Sequence, residues 1–304
     1  MAEYRILSID GGGVRGLLVS VLLQQLDELV PGWRDKVDLI AGTSTGGIIA
    51  LGLAKGLEPT ELRNLYYDKS PDIFDSPWYE LREGWPIIRA HYSSRRLDEA
   101  LTSVLGDTRL QNLKKKVLIA SFDLEDEDKG HWKPKFFHNF SGNDTDGKMR
   151  AVDVALATSA APTYFPSAGG FIDGGVVANN PSMAAIAQTQ DARAKIDERP
   201  ELGDIALLSI GTGFLPRSIG GMDNDWGYTQ WARPLLRIMF DGLAGVPDYQ
   251  CKQILGDRYH RLDHSFARDI ELDDWTARDE LVRIAEIEMK GALDAAAEWL
   301  TNVW

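Results

Sequence analysis

The sequence predicts an α/β fold of three layers, with helices on both faces of a central and mostly parallel sheet. Two observations carry that expectation. Apolar strand-like runs alternate with helical stretches in β-α-β-α order, the pattern that buries a parallel sheet beneath helices. In addition, two glycine-rich turns, Asp10-Gly11-Gly12-Gly13-Val14-Arg15-Gly16 and Gly42-Thr43-Ser44-Thr45-Gly46-Gly47, each follow an apolar strand-like run and precede an apolar helical one.

In order, residues 4–9 read as the first strand, 14–30 as a helix, 37–41 as the second strand and 48–55 as part of a second helix. Pro59-Thr60 opens a third helix, with Glu58 near its positive end. Later strands are expected over 117–122, 136–140, 170–172 and 206–210, and a long final helix over 276–300. Residues 70–93 interrupt the pattern, with Pro71, Pro77 and Pro86 among Phe74, Trp78, Tyr79, Trp85 and Tyr92. That segment reads either as a lid or lipid-facing rim, or as a loop whose aromatics pack onto the core. The same two readings apply to 214–247, with Trp226, Tyr228, Trp231 and Phe240. The acidic run 124–128 reads as a solvated hairpin tip. No repeat or linker divides the chain, so residues 1–304 are expected to form a single domain, with its motifs over about 4–215 and a mainly helical remainder.

The 304 residues, 44% of them hydrophobic, suffice for a sizeable core. Lys and Arg number 33 against 46 Asp and Glu, a net charge of −13. This argues against nucleic acid as a partner and against electrostatic adhesion to anionic lipid, so membrane contact would be mainly hydrophobic. Cys251 is the only cysteine. It excludes an internal disulfide and a cysteine-based zinc site, fits a reducing compartment, and reads as inert core. The N-terminus lacks a basic region followed by an apolar stretch and a cleavage site. No run approaches the roughly 18 apolar residues that span a bilayer. A cytoplasmic protein with at most peripheral membrane access is expected.

Gly11, Gly13 and Gly16 formally match the G-x-G-x-x-G dinucleotide fingerprint. That site also needs an acidic residue ending the second strand, and here the strand ends Ala41-Gly42-Thr43-Ser44. No Gly-Lys-Ser/Thr follows for a phosphate loop. What remains is an anion-binding nest at a helix N-terminus, with Arg15 adding positive charge beside it. Gly42-Thr43-Ser44-Thr45-Gly46 fits G-x-S-x-G, whose glycines let a serine occupy a strained strand-to-helix turn with its hydroxyl exposed. The bland alternative is a turn with Ser44 as helix N-cap.

A serine nucleophile needs a base. None of the five histidines, His91, His131, His138, His260 and His264, sits at a strand end within a glycine-rich turn, though His260 and His264 follow an Asp in the chain order of α/β-hydrolases. The favoured candidate is Asp173, in Phe171-Ile172-Asp173-Gly174-Gly175. It ends a short strand, and if that strand is parallel to its neighbours its tip shares a rim with Ser44. Asp10 is read as orienting its own glycine loop.

Asp10 to Gly16, Gly42 to Gly46 and Asp173 to Gly175 resemble the three signature motifs of the patatin-like phospholipases. The resemblance extends through Ala157-Thr158-Ser159-Ala160-Ala161-Pro162-Thr163-Tyr164-Phe165-Pro166, Asn179-Asn180-Pro181 and Leu208-Ser209-Ile210-Gly211-Thr212-Gly213, and is loose over the last ninety or so residues. It implies Ser44 as nucleophile, Asp173 as its dyad partner, Gly11, Gly12 and Gly13 as an oxyanion loop, and Arg15 as support for that loop. The expected activity is phospholipase A-type hydrolysis through an acyl-serine, on phospholipid or other acyl-ester lipids. No cofactor is expected, and no dedicated calcium loop is present. The other classes considered are a lipase switched on by a nucleotide or partner, and a storage or lipid-binding protein with little activity.

Overall fold

Period-two alternation along the strands sorts the buried side chains onto two sheet faces. The computed structural model describes residues 2–74, 90–125, 130–142, 144–195, 199–216 and 227–304. Strands β1 (Tyr4–Ile9), β2 (Leu39–Thr43), β3 (Lys116–Asp123), β4 (Lys133–His138), β5 (Phe171–Asp173), β6 (Ile205–Ile210) and β7 (Tyr259–Leu262) form one sheet among the described residues. Its order is β4-β3-β2-β1-β6-β7, with β5 paired to β3. The pairs β1–β2, β1–β6, β2–β3 and β6–β7 are parallel, whereas β4 and β5 both run antiparallel to β3.

Helices α1 (Gly16–Leu29), α2 (Thr45–Lys55), α3 (Pro59–Phe74), α4 (Ser94–Leu105), α5 (Ala151–Thr158), α6 (Gly175–Ala178), α7 (Ser182–Thr189), α8 (Tyr228–Leu255), α9 (Arg278–Arg283) and α10 (Lys290–Val303) pack around the sheet. Ile6, Leu39, Leu118 and Leu207 meet Ala185 and Ile186 of α7 and Cys251 and Leu255 of α8. Leu7, Ile40, Ile119 and Leu208 belong to the larger opposite cluster, with Leu18, Ile49, Val154, Leu281 and Leu300. The expected three layers are therefore present. No described helix is long and apolar enough to cross a membrane.

Several elements differ from the sequence reading. β2 runs to Thr43, immediately before Ser44. β5 is antiparallel rather than parallel, since it returns along β3 from the rim. β7 was not anticipated, because His260 and Arg261 at its centre conceal the buried Tyr259 and Leu262. The final helix is broken by a π turn at Ile284–Glu288. Leu281, Ala285, Met289 and Leu293 are all buried, and that every-fourth-residue spacing needs a turn wider than the 3.6 residues of an α-helix.

Phe74, Tyr92 and Phe165 form a described aromatic cluster, their ring centroids 5.2 to 5.8 Å apart, as the core-packing reading of 70–93 required. Pro77, Trp78, Tyr79, Trp85, Pro86, Trp226 and residues 126–128 lie outside the described residues. Cys251 is buried, and desolvation pushes its thiol up to about 12, consistent with an inert core residue.

Candidate active site

Ser44 sits between the end of β2 and the start of α2 with φ 54° and ψ −123°, a strained conformation for a residue with a side chain. The flanking glycines make the turn possible. A Cβ on Gly42 would lie 2.2 Å from Gly46 O, and one on Gly46 would lie 2.2 Å from Ile9 O. The N–H of Ser44 donates to Thr158 Oγ1 at 2.8 Å, and that hydroxyl donates to Ala120 O at 2.5 Å. The elbow is thus braced on the neighbouring strand.

Strand register brings Asp173 to the same level. Thr43 pairs with Ala120, and the next residue of β3, Ser121, pairs with Asp173. β5 takes up the edge of β3 that β2 leaves when the chain turns at Ser44. The Asp173 Oδ1 accepts the Gly175 N–H at 2.7 Å, and the Ser44 side chain lies near enough to act on the same carboxyl. Asp173 is 2% exposed. Burial raises its carboxyl to about 7, against the opposing influence of Ser44 and the Gly175 N–H. Asp173 thus reaches the level of Ser44 on an antiparallel strand, not on the parallel one that the rim argument assumed.

The first glycine loop lies across Ser44 from Asp173, because β1 and β3 flank β2 on opposite sides. Gly11 N–H donates to Asn179 O at 3.0 Å, whereas no hydrogen bond among the described residues takes up the N–H of Gly12 or Gly13. The Gly11 amide thus fixes the loop, and those of Gly12 and Gly13 have no partner among the described residues. A Cβ on Gly12 would meet Thr212 Oγ1 at 2.2 Å, and one on Gly13, where φ is +59°, would meet Leu272 O at 2.1 Å. Arg15 donates from Nε to Gly12 O at 3.2 Å and from Nη1 to Gly213 O at 3.0 Å, so its cation ties the loop to the turn after β6.

Beneath the loop runs a buried charge network that sequence reasoning missed. Arg261 donates from Nη1 to Asp10 Oδ1 at 3.0 Å and from Nη2 to Asp10 Oδ2 at 2.6 Å. The same guanidinium reaches Asp263, which in turn accepts the Gly213 N–H. Asp10 is accordingly anchored by Arg261 rather than bonded to its own loop. Burial lifts the Asp10 carboxyl to about 6, with the Arg261 charge opposing. For Arg261 the desolvation is outweighed by the charges of Asp10 and Asp263, and it stays protonated. Arg261 carried no sequence signal, because its short strand reads as an ordinary charged surface run.

Gly12, Gly13, Ser44, Asp173 and Asn179 line one end of a cavity whose remaining wall is mainly apolar, with Leu65, Ile73, Phe74, Leu97, Leu101, Phe165 and Phe240. None of the five histidines lines it. His91 and His131 are exposed, and His138 lies 3.6 Å from Asp144. The ring of His260 stacks on Trp299, and His264 lies 3.5 Å from Glu288. The described residues contain no group of three His, Cys, Asp or Glu able to hold a metal ion.

A strained serine elbow near a buried carboxylate is mounted here on a mostly parallel sheet between helical layers, an α/β architecture of three layers. The chain belongs to the patatin-like phospholipase family, whose model matches residues 7–186. A cGAMP-activated phospholipase of Pseudomonas aeruginosa is 31% identical over 89% of this chain and 81% of its own length. One from Vibrio cholerae is 30% identical over 99% of this chain and 92% of that protein. Patatin-like protein 2 of Arabidopsis thaliana is 29% identical over 93% of this chain and 79% of that protein.

Proposed function

We propose that this protein is a calcium-independent lipid acyl hydrolase of phospholipase A type, working through a Ser44–Asp173 dyad and an acyl-serine intermediate. The observation that carries this reading is the strained Ser44 elbow and the buried Asp173 carboxyl lining one cavity with a mainly apolar wall. Asp173 takes the Ser44 proton as the oxygen attacks the ester carbonyl. The oxyanion forms opposite, against the Gly12 and Gly13 amides. The intermediate collapses, the departing alcohol receives the proton from Asp173, and the acyl chain stays on Ser44. Water, deprotonated by Asp173, then releases the fatty acid. A carboxyl held near 7 is far better matched to this proton traffic than an ordinary aspartate.

Access to a lipid surface fits the outer side of α8. Leu235, Ile238, Met239, Val246 and Tyr249 are all exposed, and their spacing puts them on one side of the helix. The same helix contributes Phe240 to the cavity wall. With a net charge of −13, the contact is hydrophobic and suited to neutral or zwitterionic lipid.

Incubation of wild type, Ser44→Ala and Asp173→Asn protein with a mixed lipid extract, followed by mass analysis of the products, tests the proposal. Fatty acid release by wild type alone, unchanged by a chelator, is expected. Release that survives in either variant, or that needs calcium, would refute it. A second reading, a lipase switched on by a signal, is favoured by the cGAMP-activated phospholipases among the relatives. It predicts fatty acid release only on adding a cyclic dinucleotide.

A further inference from the structure

The end of α5 passes directly beside the dyad. Thr158 braces the Ser44 N–H, Gly174 N–H donates to Thr158 O at 3.3 Å, and Asp173 N–H donates to Ala160 O at 3.0 Å. Ser159 lies between those two contacts, one residue from each. It is 7% exposed and lines the same cavity as Ser44 and Asp173. Its Oγ has no hydrogen-bond partner among the described residues. The hydroxyls of Thr45 and Tyr66, also on the cavity wall, are bonded to one another. A buried hydroxyl without a partner costs stability, so its placement in a reaction cavity calls for a partner that arrives during turnover.

Topology says which partner. Gly12 and Gly13 follow β1, on one side of Ser44, and hold the carbonyl oxygen. Asp173 and Ser159 stand on the other side, toward β3. The water that attacks acyl-Ser44 must approach from that side to give a proton to Asp173. It carries a second hydrogen, which would otherwise face a mainly apolar wall. In the first half of the reaction the leaving alcohol has a carbon substituent in place of that second hydrogen. The need for a further acceptor is therefore specific to hydrolysis of the acyl-enzyme.

We propose that Ser159 is a further catalytic residue, whose Oγ accepts the second hydrogen of the deacylating water and orients the water's lone pair toward the acyl carbon. One water proton passes to Asp173, the other stays on oxygen, and the new C–O bond replaces the bond to Ser44 Oγ, which regains its proton from Asp173. Ser159 keeps its own proton throughout.

The inference rests on the dyad reading, and one experiment separates the two. Rapid-quench mass spectrometry of intact protein with a soluble p-nitrophenyl ester follows formation and decay of the acyl-enzyme independently. Ser159→Ala is expected to slow decay about tenfold, the worth of one hydrogen bond, and to leave formation within about twofold. Its Tm is expected to be unchanged or raised, because the hydroxyl has no partner among the described residues to lose. Ser44→Ala is expected to give no acyl-enzyme. Acylation persisting in Ser44→Ala would overturn the dyad reading itself. With that control sound, an unaltered decay rate, an equal fall in formation and decay, or an unfolded Ser159→Ala protein would each overturn the role of Ser159.

Discussion

The Thr158 hydroxyl accepts the Ser44 N–H at 2.8 Å and donates its own hydrogen bond to Ala120 O. One side chain therefore holds the strained turn after β2 against the strand beside it. Thr158→Val keeps the shape and removes both bonds. A loss of about 1–2 kcal/mol is expected, with two buried polar groups left unpaired, together with a fall in turnover of about tenfold. Urea denaturation and ester hydrolysis measure the two effects, and an unchanged kcat would show that the elbow needs no brace.

Asp173 keeps its proton up to about pH 7 in the folded chain and releases it near 3.8 when unfolded. Between those values the folded state binds the extra proton, so this group's contribution to stability falls as pH rises and is lowest above pH 7. Asp173→Asn removes that slope. Its Tm advantage over wild type is expected to be largest above pH 7 and to shrink toward pH 4. In the wild type, activity should rise with pH about a midpoint near 7. A Tm difference independent of pH would contradict the burial argument.

Gly42→Ala places a methyl group against the Gly46 carbonyl at 2.2 Å, backbone against side chain with nothing free to move. Overpacking of this kind costs about 1–3 kcal/mol or more. Gly203→Ala, where a Cβ meets nothing within 4 Å, should be nearly neutral. Thermal unfolding of the pair provides the comparison, and equal Tm values would show the elbow to be more forgiving than its geometry.

Arg261→Met leaves Asp10 buried without its cation. Breaking a buried ion pair from one side costs about 3–5 kcal/mol. Activity should fall further than residual folding explains, because Asp10 is joined directly to the Gly11–Gly13 loop. The double variant Arg261→Met with Asp10→Asn should recover part of the stability, and failure to do so would argue against the pair as the cause.

Ile238→Glu with Val246→Glu puts charge on the exposed apolar side of α8. Hydrolysis of phosphatidylcholine vesicles is expected to drop about tenfold or more, at the several kcal/mol typical of charge placed in hydrocarbon. A soluble short-chain ester should be cleaved as before. Equal effects on both substrates would locate the damage in the fold and not at a lipid surface.

Much of the site was legible because glycine carries geometric information. Gly42 and Gly46 tolerate no Cβ, and Gly13 requires a left-handed φ, so these positions announce close backbone approaches. β1 and β6 were legible from buried strands with an apolar residue on each face. The direction of β5 was not, since three residues cannot encode whether a neighbour runs parallel. Helix α8 was hidden by Gly242, Gly245 and Pro247, whose poor helical propensity is overridden by the packing of Cys251 and Leu255. The use of Gly11 N–H by Asn179 was invisible for another reason. A backbone hydrogen bond to a distant carbonyl leaves no mark on the residue types that make it.

Asp10 and Arg261 are 251 positions apart, and Val14 N–H is held by Leu272 O. A growing chain thus carries every signature turn, and even Asp173, long before the strand that anchors the first of them is synthesised. The first glycine loop is thus the last of these turns to gain its anchors, which come from the C-terminal quarter of the sequence.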